Sequence, residues 1–344
     1  MSNPIMRASP YVIVAKSSAN REIAFLRKKG ILDSRLKIRQ EGGNLIIPVK
    51  KPPQENSETL EFEFKPSNLP PYRTISDICS QLKGNPWVPK KWVRVGNAVI
   101  VKVPSKGTLR EDVASVMAEV LGASAVYEDF SVITARERIP VLNLVYGHAE
   151  RVVHRENGIE FSLVPNESMF SPGNVNIRCD LQRDKSVGGI AMDLFAGIGY
   201  FTLHIARNPQ VDRVYAVEIN PISYKSLLMN IEKNHLRDKI IAVPGDCRSA
   251  FDGIMADYIS MGHFDSPFYM PAAVSHCKTG TVVDFHVISG DKAAYQESNE
   301  IIRRAGRLGC IFSIISRRKV KSYSPHRWHV VVRAECIRRL GRDE

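Results

Sequence analysis

Two glycines, Gly197 and Gly199, follow a strand-like apolar run at residues 190–195 that carries Asp193 and ends at Phe195; a helix-like run, residues 201–206, comes next. Glycines in such a turn let backbone approach a ligand closely, and the helix start beyond it offers unpaired N–H groups. The third glycine of the dinucleotide fingerprint is missing, Thr202 standing three residues after Gly199, and Asp193 occupies a strand where a pyrophosphate tolerates no charge, so NAD is disfavoured. Glu218 ends the next apolar run, residues 214–218, where a carboxylate can accept both hydroxyls of a ribose. Asp246 follows the third run, residues 240–243, and can accept from an adenine amino group. An acid, a glycine turn and two further acids at successive strand ends is the arrangement of an S-adenosylmethionine site. The same acids would also cap helix N-termini in a sheet that binds nothing.

Beyond a fourth run, residues 258–261, stand His263 and Asp265, either of which could accept a proton or orient an acceptor; a histidine at a strand end serves equally as a structural hydrogen-bonding group. The neighbouring Phe264, Phe268 and Tyr269 could stack on an unstacked base or pack against a helix. Cys247 has no thiolate-activating partner nearby in sequence and reads as a residue that presents its backbone rather than a nucleophile. The six cysteines stand singly, without the close pairs of zinc or redox motifs, so no metal is expected and a reducing, cytoplasmic setting is.

These residues need a scaffold. From about residue 165 onward, buried strand, turn and helix recur, with strands predicted at 190–195, 214–218, 240–243, 258–261, 281–286, 310–315 and, running antiparallel, 328–332. The fold class expected is α/β, a Rossmann-like, mostly parallel sheet over residues 165–344, preceded by small α+β domains at 1–84 and 85–164. The first domain reads as a strand at 11–14, a helix opened by Ser17 or Ser18 and closed at Gly30, and a strand at 46–49. Residues 50–73 hold five prolines and read as a linker around an edge strand at 60–64. The second reads as a strand at 98–103, a helix at 109–121 ended by Gly122, and a strand at 125–127. Asn157 and Gly158 then mark a hairpin turn.

With 344 residues, 44% hydrophobic and 24% charged, the chain has ample material for two or three cores and is not a disordered polymer. Its apolar runs fall short of the roughly 18 residues that span a bilayer, and residues 1–30 hold no signal-like apolar core. Lysine and arginine total 48 against 36 acids, a net charge of +12 that favours a polyanionic partner. Basic residues gather at Arg317, Arg318, Lys319, Lys321 and Arg327, interleaved with Tyr323, His326 and Trp328, as suits an RNA or other nucleic-acid phosphate surface. Lys90, Lys91 and Arg94 form an earlier cluster, and Arg338 and Arg339 a later one, while Arg303, Arg304 and Arg307 read as a solvated helix face.

The segments DLFAGIGYFTLHIAR, VYAVEINPISYKSLLMNIEKN, GDCR, ENGIEF and MFSPGN resemble the tRNA wybutosine-synthesis aminocarboxypropyltransferases, relatives of the methyltransferases that modify N1 of guanosine-37 in tRNA. The methyltransferase branch has Asn-Leu-Pro after the fourth strand and a WNSRLS-like segment before the sheet; here MGHF and MFSPGN stand instead. The resemblance implies transfer of the 3-amino-3-carboxypropyl group of S-adenosylmethionine to the tricyclic base at position 37 of tRNA-Phe, with methylthioadenosine as by-product. It implies that Ser171 and Arg178 hold the methionine portion, Glu218 the ribose, and Asp246 with the backbone of Cys247 the adenine, over a floor of Phe195, Ala196, Gly197 and Gly199. The family's usual acid before the arginine is replaced here by Ile177. N1-methylation and non-catalytic tRNA binding are the competing readings.

Overall fold

In a computed structural model, the chain falls into two compact units, Met1–Gln81 and Leu82–Glu344. The structure describes residues 7–340 apart from 35, 51–60, 65–74, 76–78, 80, 81, 85, 105, 106, 131–139, 149, 150, 169, 171, 291 and 292.

The first unit is a four-stranded antiparallel sheet in the order β2-β3-β1-β4, formed by β1 (Arg7–Ala15), β2 (Arg39–Glu41), β3 (Asn44–Pro48) and β4 (Glu61–Phe64). Helix α1 (Ala19–Lys28) contributes Leu26 to a small core with Leu32, Ile47 and Val49. The strand expected at 60–64 is an edge strand; most of the proline-rich stretch around it lies outside the described residues.

The second unit opens with β5 (Val93–Val95), β6 (Ala98–Lys102), α2 (Glu111–Leu121), β7 (Ala125–Asp129) and β8 (Leu142–Gly147). Strands β6 and β7 pair in parallel across α2, which ends where Gly122 turns into the left-handed region at φ +59°. Next comes the hairpin of β9 (Val152–Glu156) and β10 (Ile159–Leu163), turned by Asn157 and Gly158 at φ +45° and +78°, the backbone that an Asn-Gly pair accepts. Helix α3 (Val175–Leu181) leads into the large sheet.

That sheet alternates β11 (Gly189–Asp193), α4 (Thr202–Ala206), β12 (Val211–Glu218), α5 (Pro221–Lys233), β13 (Ile240–Pro244), β14 (Ala256–Met261), α6 (Met270–Ser275), β15 (Cys277–Gly290), α7 (Ala293–Gly306), β16 (Cys310–Ser324) and β17 (Arg327–Arg339). Its order is β13-β12-β11-β14-β15-β17-β16, with β17 antiparallel to both neighbours and the first five strands parallel. Side chains alternate by face: Ala191, Val214 and Tyr258 join a core with α4, α5 and the hairpin, while Met192, Ile259 and Val283 join a second core with α6 and α7. Chain order reverses between β11 and β14, the position where open α/β sheets leave a crevice beyond the strand ends.

The hairpin is fixed to the sheet by amides. Asn234, the C-cap of α5, exchanges hydrogen bonds with both backbone groups of Glu160, at 2.9 and 2.7 Å. Asn230 accepts from Ser162 N–H at 2.7 Å and donates to Ile198 C=O at 2.9 Å, tying the hairpin to the glycine turn. Among the described residues no helix is long and apolar enough to cross a membrane.

Candidate functional site

A cavity of about 400 Å³ opens beyond the C-terminal ends of β11, β12 and β13. Phe195, Gly197, Glu218, Asp246 and Cys247 all line it, drawn together from three successive strand ends. Gly197 sits at φ +58° and its N–H donates to Glu218 Oε2 at 2.6 Å, while Glu218 Oε1 accepts from Asn220 N–H at 2.8 Å. Local backbone donors thus take part of the carboxylate's acceptor capacity, which leaves the rest for a ligand. Burial pushes the Glu218 carboxyl up despite these backbone donors. Asn220 begins α5, its side chain accepting from Ile222 N–H at 2.9 Å, and Pro221 follows where a missing N–H costs nothing.

Two residues expected at the cofactor, Ala196 and Gly199, do not line the cavity. Ala196 is buried beneath the turn, its N–H bonded to Val217 C=O at 3.0 Å, and does not line the cavity. Gly199, at φ +103°, packs the turn against α4 and α5: a Cβ there would come within 3.1 Å of Leu203 and Leu227. Its absent side chain therefore serves helix packing rather than ligand approach. Asp193 is fully buried and holds the turn from below, accepting from Thr202 Oγ1 at 2.7 Å and Phe195 N–H at 3.3 Å. Ser171 lies outside the described residues.

Arg178 lines the cavity, yet its Nε and Nη2 donate to Glu156 Oε1 and Oε2 at 2.7 and 2.8 Å. That edge of the guanidinium fork is therefore committed to the protein. Its plane is covered by Tyr200, whose ring centre lies 5.2 Å from Cζ. Gln182 donates to His204 Nδ1 at 2.9 Å, so Nε2 carries the proton and donates to Glu156 Oε1 at 2.9 Å. Burial alone would raise the Glu156 carboxyl; His154, His204 and Arg178 overcome it and hold the group well below the usual carboxylate range. Ile177, in place of the acid expected before the arginine, faces the core, and the carboxylate paired with Arg178 comes from the hairpin, as Glu156.

On the opposite wall, His263 stacks on Phe195 at 5.4 Å, and its Nδ1 accepts from Asp265 N–H at 3.1 Å. Asp265 itself is over half exposed and is not part of the cavity wall, so only His263 of this pair faces a ligand there. Phe264 and Tyr269 line the cavity, and Phe268 projects outward with 82% of its surface exposed.

The basic residues do not form one strip. Arg317 is bonded to Ser298 and Asn299 of α7, each at 2.7 Å, whereas Arg318 pairs with Asp180 of α3 at 2.5 Å, on the other side of the sheet. Lys319 covers the Trp328 ring at 4.8 Å, and Arg327 is exposed at the β16–β17 turn. Lys321, expected on the RNA surface, lines the cavity together with Ser322 and Tyr323. A register shift between Lys319 and Lys321 resets which way the strand's side chains face. Arg94 and Arg339 hold backbone carbonyls, those of Leu121 and Gly122 and those of Val274 and Cys277. Arg303 and Arg304 pair with Glu300 on an exposed helix face.

Among the wall residues that sequence reasoning missed are Ser168 and Asn174, whose Oγ and Oδ1 are buried with no hydrogen-bond partner. Among the described residues, no group of three or more His, Cys, Asp or Glu converges as a metal site would need.

Residues 152–312 match the TRM5/TYW2 methyltransferase domain, residues 12–58 the tRNA methyltransferase 5 N-terminal domain and residues 80–150 the TYW2 N-terminal domain. The tRNA(Phe) (4-demethylwyosine(37)-C(7)) aminocarboxypropyltransferase of Pyrococcus horikoshii is 33% identical over 71% of this chain and 88% of its own length. The chain belongs to the TRM5/TYW2 family. Another TRM5/TYW2 relative, the tRNA (guanine(37)-N(1))-methyltransferase Trm5b of Pyrococcus abyssi, is 28% identical over 88% of this chain and 92% of its own. The crystal structure of P. horikoshii TYW2 in complex with MeSAdo superposes with a TM-score of 0.66 at 30% identity, covering 76% of this chain and 97% of that one.

Proposed function

We propose that the protein transfers the 3-amino-3-carboxypropyl group of S-adenosylmethionine to the tricyclic 4-demethylwyosine-type base at position 37 of tRNA-Phe, releasing methylthioadenosine. The observation that carries this reading is the cavity at the strand-order reversal, where Glu218, Asp246 and Cys247 border one end and buried, unpartnered Ser168 Oγ and Asn174 Oδ1 stand in the wall. Such a site suits a nucleoside that carries a zwitterionic tail. Unpaired buried polar atoms cost stability until a ligand meets them.

Glu218 would hold the ribose hydroxyls, and Asp246 the adenine amino group. Asp246 is itself fixed by Arg248, which donates to both carboxylate oxygens at 3.0 and 2.6 Å. When bound, the cofactor supplies a sulfonium with three electrophilic carbons, and the protein's part is to choose among them by orientation. Positioning of that kind can account for several kcal/mol of barrier lowering without a covalent residue. His263, held on Phe195 and facing the cavity, is the residue we assign to orienting the acceptor base or taking its proton. Exposed Phe268, five residues further along the chain, offers an aromatic face for stacking.

N1-methylation of guanosine-37 is the second reading, favoured by the match of residues 12–58 to the tRNA methyltransferase 5 N-terminal domain. Incubation with S-adenosylmethionine and either precursor-bearing or unmodified tRNA separates the two. Methylthioadenosine formed with the precursor tRNA supports aminocarboxypropyl transfer; S-adenosylhomocysteine formed with unmodified tRNA supports methylation and overturns the first reading.

A further inference from the structure

Asn174 stands at the N-cap of α3, a position where asparagine ordinarily accepts from the helix's first N–H groups, yet its side chain makes no capping bond. It is 8% exposed and its Oδ1 has no partner; Ser168, 4% exposed, likewise leaves Oγ without one. Both residues line the cavity, so the missing partners belong to whatever fills it.

A third group reaches the same wall from the far end of the sheet. The stem of Lys321 lies directly over Gly173: a Cβ built on that glycine would fall 2.4 Å from Lys321 Cδ and 2.9 Å from its Nζ. A side chain at 173 would have to displace the lysine from this position.

We infer that Ser168, Asn174 and Lys321 form the subsite for the amino-acid end of the cofactor, Asn174 Oδ1 accepting from the ammonium while Ser168 Oγ and Lys321 Nζ donate to the carboxylate. This rests on the cofactor reading above. The acids at the ends of β12 and β13 suit hydroxyls and an amino group, all donors. A carboxylate needs donors, and an ammonium beside it needs an acceptor; this trio provides both kinds. Arg178, whose Nε–Nη2 edge is taken by Glu156, then acts as the buried support of the wall rather than as the sole anchor of the tail.

Methylthioadenosine lacks the amino-acid tail, which makes it the discriminating probe. Calorimetric titration of the full chain with S-adenosylmethionine and with methylthioadenosine would be compared for the wild type, Ser168→Ala, Lys321→Met and Gly173→Ala. The last retains the lysine but pushes its stem aside. Each variant is expected to bind S-adenosylmethionine roughly 10-fold or more weakly, as loss of a charge-assisted contact implies, with methylthioadenosine affinity unchanged. Equal weakening of both ligands would overturn the inference in favour of a packing role. Unchanged S-adenosylmethionine affinity, with weaker tRNA binding in Lys321→Met, would overturn it in favour of a phosphate contact. Binding of neither ligand by the wild type would overturn the cofactor reading itself and the subsite with it.

Discussion

The N–H of Gly197 donates to the Glu218 side chain at 2.6 Å, so one carboxylate both faces the cavity and holds the glycine turn that forms its floor. Glu218→Ala removes the ribose acceptor and the anchor of the turn together. Cofactor affinity is expected to fall by about 1.5–3 kcal/mol, the range for a hydrogen bond to a charged group. Glu218→Gln, which keeps one carbonyl acceptor for Gly197, is expected to lose less. Titration with S-adenosylmethionine measures both, and unchanged affinity in a folded Glu218→Ala protein would remove this residue from the site.

Glu156 and Arg178 supply a test in stability rather than binding. Glu156→Gln leaves the Arg178 guanidinium buried without its counter-charge, a change that typically costs about 3–5 kcal/mol. Because the folded protein holds Glu156 below its ordinary value near 4.5, its stabilising contribution is present above that pH and is lost as pH falls through the acid range. Urea unfolding at several pH values should show a steeper acid limb for the wild type than for Glu156→Gln. Parallel curves would contradict this.

Asp193 has the opposite sign. Burial pushes its carboxyl up to about 6 against an ordinary value of 3.8, so the folded state binds its proton more tightly than the unfolded chain does. Stability from this group is greatest below about pH 4 and declines by up to about 3 kcal/mol as pH rises through 6. Asp193→Asn should abolish that decline, visible in melting temperature between pH 4 and 8.

Arg317 and Arg318 are adjacent in sequence and bonded on opposite sides of the sheet. A tRNA surface meets one side. Arg318 lies with α3, the helix that also carries Arg178 of the cavity wall. Arg318→Ala is therefore expected to weaken tRNA binding and reduce its salt slope by somewhat less than about one unit, whereas Arg317→Ala leaves the slope unchanged. Filter binding across a salt series reads both.

The strand-turn-helix order around Gly197 was legible because apolar alternation and turn residues are local signals, and the acids at 218 and 246 were placed by strand ends alone. Strands β15 to β17 run well past their predicted bounds. Their continuations, such as Arg317 to Ser324, are polar and show no apolar period; pairing with β17 holds them extended. The partner of Arg178 was illegible for a different reason, since Glu156 sits 22 residues away on a hairpin and no spacing rule joins them. Lys321 was grouped with its basic neighbours because a register shift leaves no mark in composition. Ser168 and Asn174 carry information only through the bonds they do not make.

Among the described residues, β17 is the one strand that pairs with β16, and it is the later of the two in the chain, lying between β16 and the rest of the sheet. During synthesis, then, the wall made by Lys321, Ser322 and Tyr323 lacks its strand partner until β17 emerges. The adenosine end of the cavity is assembled from β11 to β13 well before that. A complete cavity consequently waits for β17, and a chain stopped short of that strand would keep a nucleoside cleft with one wall missing.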